Sequence, residues 1–195
     1  MSQGAAPRDD RAAAVPLATG RLGMRIFILA LSMLFGASIL GYLIVRSRAT
    51  AWPPPGMPSL PGGLWLSTLI LLVSSATMQA AVRSARAGRQ TALRWGMLLT
   101  TLLGAAFLVS QTLNWFVLVA ANLTARTNLY GFTFYLLTAL HAAHVVGGVI
   151  PLAVVTTRAW RGCYSAAFHP GVEYCKTYWH FLDVVWLVMF TALMV

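Results

Sequence analysis

Four titratable side chains lie in otherwise apolar sequence toward the end of the chain: His141 and His144 in one long apolar run, His180 and Asp183 in the next. Histidines on facing helices can ligate haem iron or another metal, and Asp/His chains can relay protons. The same set can instead form interhelical hydrogen bonds that hold two spans together. Depth bears on the choice. At 1.5 Å per residue, His144 lies about 21 Å above the inner edge counted back from Arg158, whereas Asp183 lies about 10 Å above Lys176. A compact site of His144, His180 and Asp183 would need tilt or kinking to close that gap, which favours the structural role over a cofactor site. A bis-histidine haem would also want ligands that the second and third apolar runs do not offer.

An aspartate inside a bilayer costs about 2.5 to 3.5 kcal/mol on insertion scales, so Asp183 needs a partner or a purpose. His180 and Asp183 are three apart and project from one side of a helix. Trp179, Trp186 and Phe190 group about the side of Asp183, and that side is expected to face protein. Glu173 sits at or below the inner interface, where a carboxylate is easily hydrated. Its simplest role is an ion pair with Lys176 or Arg161, and His169, before Pro170, reads as a turn residue.

The elements that must position these groups are membrane spans. The sequence is 58% hydrophobic and 9% charged, with a mean hydropathy of +0.73, values far from those of an average soluble domain. The net charge of +10 would suggest nucleic acid in a soluble chain. Here the basic residues are scattered at the ends of apolar runs, where they act as topological anchors, and no nucleic-acid partner is expected. Residues 1–20 mix Ala, Pro, Gly and charge without a hydrophobic period and read as a mobile cytoplasmic tail.

Five apolar runs follow, over about 24–45, 63–82, 95–119, 131–157 and 177–195. The first is too long for a signal-peptide core and lacks an A-x-A cleavage pattern. The last covers roughly 28 Å, just enough to cross the hydrocarbon, so the carboxylate of Val195 is expected at the far interface. The fourth carries Gly147, Gly148 and Pro151: the glycines permit close helix contact, and the proline frees a carbonyl that a neighbour must satisfy. The fold class is therefore all-α, an integral membrane bundle of five transmembrane helices.

Orientation follows from the basic residues. Eleven (Arg8, Arg11, Arg21, Arg25, Arg83, Arg86, Arg89, Arg94, Arg158, Arg161 and Lys176) fall on one side of the five spans, against three (Arg46, Arg48 and Arg126) on the other. The positive-inside bias predicts a cytoplasmic N-terminus and a C-terminus outside. Cys163 and Cys175 are too far apart for a CxxC pair and lie on the cytoplasmic side, where thiols stay reduced; no role is assigned to them.

Two stretches together carry a family likeness: YGFTFYLLTALHAAHVVGG from Tyr130 and YWHFLDVVWLVMF from Tyr178. They resemble the signature segments of subunit III of the haem-copper terminal oxidases, the cytochrome c oxidase subunit III family. The resemblance extends to LSTLILLVSSAT from Leu66, LLTTLLGAAFLVSQ from Leu98 and, more weakly, LGMRIFIL from Leu22. It is to the short five-helix bacterial form. His141, His144, Glu173, His180 and Asp183 each fall on a family-signature position. The resemblance implies a non-catalytic subunit of a respiratory oxidase in the bacterial inner membrane. Such a subunit flanks subunit I, lies in a complex with subunit II, binds structural phospholipid and supports proton uptake. Haem and copper would sit in the partner subunits, and no catalytic, cofactor or metal ligand is expected in this chain.

Two positions depart from the family pattern. Leu31 stands where the first of these spans usually has a glutamate associated with proton-related and lipid-facing behaviour, and Asn114 stands at the end of the usual QxxE after Gln111. A leucine cannot titrate. These losses keep open the related accessory subunit of nitric-oxide reductases. A self-contained haem or proton-transfer protein using His144 and His180 is the alternative of another class.

Overall fold

The computed structural model describes residues 17–194, with side chains from residue 19 onward. Five long helices account for most of them: α1 Leu17–Ser47, α2 Gly63–Arg86, α3 Gln90–Ala120, α4 Leu129–Trp160 and α5 Pro170–Met194. All five are long and apolar enough to cross a membrane. Each outruns its apolar stretch because the helix continues through the interface, where arginines and polar residues end the hydrocarbon-facing part without breaking the backbone ladder. α5 begins at Pro170 and not at Thr177, and α1 starts as much earlier than expected, at Leu17. Proline suits a first helical turn, having no N–H to leave unpaired. Glu173 and Lys176 are thus helical, and the expected loop 158–176 contracts. Residues 17–20, expected in the tail, form the first turn of α1, while residues 1–16 and Val195 lie outside the described residues.

Helix ends are set locally. Asn128 caps α4, its side-chain oxygen accepting from the Gly131 amide at 2.8 Å. Gly88 takes a left-handed conformation, φ 69°, in the short turn that folds α3 back against α2. At the contact of those two helices, a Cβ on Gly96 would lie 2.9 Å from the Ala81 Cβ and 3.2 Å from its Cα, so only glycine allows this approach.

The helices α2, α3, α4 and α5 pack in a ring, each against the next and α5 back against α2. Its interior holds Trp179, Trp186, Phe107, Phe134, Met78 and Met97, all buried. α1 lies outside the ring, against α5 and α4, and buries only a stripe of Leu31, Phe35 and Tyr42. Leu29, Met33 and Leu40 on its other side are exposed, as a lipid-facing surface requires. Tyr42 and Arg46 clasp the end of α5, donating to the Ala192 carbonyl at 3.1 Å and 3.0 Å. Gly148, as expected, permits close contact: a Cβ there would lie 2.9 Å from the Tyr178 ring. Gly147 has more room, at 3.7 Å from the Tyr178 hydroxyl.

Candidate functional site

The polar residues of α4 and α5 divide into three separate environments. The first belongs to His141, which is fully buried, with both ring nitrogens lacking a hydrogen-bond partner. Aromatic rings enclose it: Trp186 at 5.1 Å, Phe107 at 5.7 Å and Phe35 at 6.3 Å between centroids. A metal there would find one imidazole and carbon.

The second environment belongs to His144. Its Nδ1 lies 2.7 Å from the Leu140 carbonyl of its own helix, and its ring meets Phe35 edge-on at 4.9 Å. The Tyr178 hydroxyl donates to the His144 carbonyl at 2.9 Å, tying α5 to α4. His144 thus contributes its backbone carbonyl and its ring face to the contact of α4 with α5 and α1. Met24, Phe27, His144, Pro151 and Tyr178 are among the residues lining an apolar cavity of about 430 Å³ between α1, α4 and α5.

The third environment joins α5 to α2. His180 Nδ1 lies 2.7 Å from the Ser75 hydroxyl and 3.4 Å from Asp183 Oδ2, and its Nε2 lies 3.4 Å from Gln79 Oε1. Asp183 is 5% exposed and its Oδ1 has no hydrogen-bond partner. The expected His180–Asp183 pairing is present, but the further groups come from α2. The interhelical hydrogen bonds that the four groups could form among themselves are not made: neither His141 nor His144 bonds Asp183 or His180. Ser75 and Gln79 were overlooked, although the run SSATMQ is an unusually polar segment for a span and was the available signal. The same helix supplies two more acceptors, as Trp179 Nε1 donates to Ser74 at 3.0 Å and Trp186 Nε1 to Thr68 at 3.0 Å. The aromatic side of α5 thus faces protein, as its spacing predicted.

Glu173 closes the Arg86 end of the same helix pair. Its Oε1 accepts from Arg86 Nη2 at 2.8 Å and Nε at 2.9 Å, a two-pronged contact between α5 and α2. Lys176 at 3.9 Å and His169 at 3.6 Å are secondary. Arg161, offered by the sequence as a partner, is not one; Arg86 is, because α2 lies beside α5.

The depths of these groups also differ from those expected. The His141 ring lies beside Trp186, one turn from Asp183, so these groups are less staggered than counting suggested. The cause is the early start of α5: from Pro170, Asp183 is about 20 Å along the helix, and His144 is about 24 Å from Trp160. What separates His144 from His180 and Asp183 is direction, since the first faces α1 and the others face α2. Among the described residues, no group of three or more His, Cys, Asp or Glu side chains is placed to hold a metal ion.

The family description "Cytochrome c oxidase subunit III" matches residues 10–195, which takes in all five helices and every polar residue of the environments above. The chain belongs to the cytochrome c oxidase subunit III family. It is 36% identical over 173 residues to cytochrome c oxidase subunit 3 of Synechocystis sp., covering 86% of this chain and 72% of that protein. With the Thermostichus vulcanus protein of the same name it shares 32% over 173 residues, covering 88% and 85%. The Corynebacterium diphtheriae protein is 38% identical over 126 residues, 65% of this chain and 62% of its own length. The family is that of a non-catalytic subunit of haem-copper oxidases, and neither the reductase-associated nor the self-contained alternative is favoured.

The two departures from the subunit III pattern have simple packing accounts. Leu31 is 7% exposed, one turn before Phe35, and fills space as a hydrophobe. Asn114 is buried and donates to the Ser67 hydroxyl at 3.1 Å, which in turn bonds Ser110 at 2.8 Å. The shorter amide thus joins α3 to α2.

Proposed function

We propose that this chain is the structural subunit III of a respiratory haem-copper terminal oxidase in a bacterial cell membrane, in direct contact with subunit I and in one complex with subunit II. The observation that carries the reading is the family match across the whole bundle. In this reading the five signature residues hold the fold: His180, Asp183 and Glu173 fasten α5 to α2, while His141 and His144 shape the α1-facing core. Their contribution to oxidase activity is indirect, through the durability and proton supply of subunit I. Structural phospholipid is part of the proposal, and the apolar cavity beside Phe27 and Tyr178 has the chemistry for an acyl chain.

The test is purification through a tag on this chain from membranes solubilised in mild detergent. Oxidase subunits I and II should co-purify, and the complex should show haem absorbance. Recovery with nitric-oxide reductase subunits would reassign the complex. The chain purified free of partners should show no Soret band and no stoichiometric iron or copper; finding either would support the self-contained haem protein.

The reading also places the N-terminus and the turn between α2 and α3 in the cytoplasm, supported by the distribution of basic residues. Alkaline phosphatase fused after Val195 should be active, and after Arg89 inactive. The reverse pattern would invert the topology.

A further inference from the structure

The outward face of the α2–α5 pair carries hydrogen-bonding groups at a depth where lipid offers none. His180 leaves 30% of its side chain exposed, on the stripe of α5 that also presents Thr177 and Val184. It lies about 10 Å along α5 from Glu173, whose pairing with Arg86 marks one end of the helix pair. Beside it on α2, Gln79 is half-buried, and Ala76 and Ala80 are exposed. Behind it lies Asp183, almost wholly buried and with one oxygen unpartnered.

Large apolar side chains such as Met33, Leu102, Val109 and Ile150 cover the exposed faces of α1, α3 and α4, and Leu72, Val73, Leu187 and Val188 are exposed on α2 and α5 beyond the stretch about His180 and Gln79. Those suit acyl chains. The carboxamide of Gln79 facing hydrocarbon does not: its Oε1 lies 3.4 Å from Nε2 of His180, whose Nδ1 is held by Ser75, and lipid tails cannot take the hydrogen bonds that its NH2 group offers. Ionisable side chains within spans face protein or a water-filled cavity. The exposed alanines at i and i+4 add the second requirement of a helix contact, a surface low enough for another backbone to approach.

We propose that this α2–α5 face is the docking surface for a transmembrane helix of a partner subunit, and that the docked helix brings a hydrogen-bond acceptor to the Gln79 carboxamide beside His180. The proposal rests on the reading of this chain as an oxidase subunit. A second copy of this chain fits the face less well. A two-fold interface presents the same patch twice, and Arg83, exposed on the same stripe of α2 as Ala76 and Ala80, would meet its own like charge.

The experiment places the photo-crosslinking residue benzoylphenylalanine at Ala80, or at Val109 as a control on α3, in the full chain within its native membrane complex. Illumination at Ala80 should join this chain to a different membrane subunit of the co-purifying complex, and at Val109 it should not. Adducts to lipid alone at Ala80, or a dimer of this chain, would overturn the proposal. Ala76→Trp gives a second measurement that does not depend on the probe's bulk being tolerated. Its abundance in membranes should match wild type, because the site is open in the chain alone, while co-purification of partner subunits should fall at least threefold. Unchanged co-purification would overturn the proposal. If the wild-type chain brings down no oxidase subunit, the functional reading itself falls; if it does so but these arms fail, only the docking face is wrong.

Discussion

Trp186→Ala should destabilise the bundle by about 3 to 5 kcal/mol, the range for removing a buried tryptophan. The residue is 1% exposed and belongs to α5, yet its ring packs on Phe107 of α3 at 5.0 Å and on His141 of α4 at 5.1 Å. Its indole N–H reaches Thr68 of α2. One side chain therefore touches every other member of the ring, and alanine would leave a void bordered by all of them. Trp186→Phe keeps most of the volume and loses the hydrogen bond, so its cost should be nearer 1 kcal/mol. Denaturant unfolding of the detergent-solubilised subunit measures both. A cost below 1 kcal/mol for the alanine variant would show that the ring does not depend on this contact.

Asp183→Asn should reduce assembly more than Leu31→Glu. The carboxylate of Asp183 only accepts, and Oδ2 meets His180 beside the Ser75 hydroxyl. Asparagine keeps the shape but brings an NH2 group that must either face His180 or take the buried place of the unpartnered Oδ1, where no acceptor meets it, at about 1 to 3 kcal/mol. Leu31→Glu places an acid in the buried stripe of α1, at the position where the family pattern carries one, and a protonated glutamate there should be accommodated. The readout is the amount of subunit recovered with the oxidase core at equal expression. Full recovery for Asp183→Asn together with loss for Leu31→Glu would make the acid of α5 incidental.

The sequence was most legible where the relevant distances run along one helix. The pairing of His180 with Asp183 and the burial of Trp179, Trp186 and Phe190 follow from spacing alone, because residues three, four and seven apart share a side. The five spans were legible for a similar reason: an apolar run of membrane length has few other uses. What could not be read was adjacency between helices distant in sequence. Nothing in the order α2, α3, α4, α5 requires α5 to return beside α2. Ser75, Gln79 and Arg86 were therefore missed as partners of His180 and Glu173, and Arg161 was offered in place of Arg86. The depth of Asp183 was misjudged because apolar length fixes a hydrocarbon crossing, whereas the helix itself runs on to Pro170.

The position of α1 outside the ring bears on how the protein is made. Its docking surface belongs to α4 and α5, and its closest polar clasp, from Tyr42 and Arg46 to the Ala192 carbonyl, joins parts of the chain about 150 residues apart. During synthesis α2 and α3 can pair as soon as the second of them enters the membrane, since they are neighbours joined by a short turn. The helix that precedes them has no such partner yet. It must wait in the bilayer, its Leu31, Phe35 and Tyr42 stripe against lipid, until the last span arrives and both closes the ring and receives it. Assembly of this subunit is thus committed late, by α5, and a chain arrested before that span would leave its earliest helix adrift as well as its ring open.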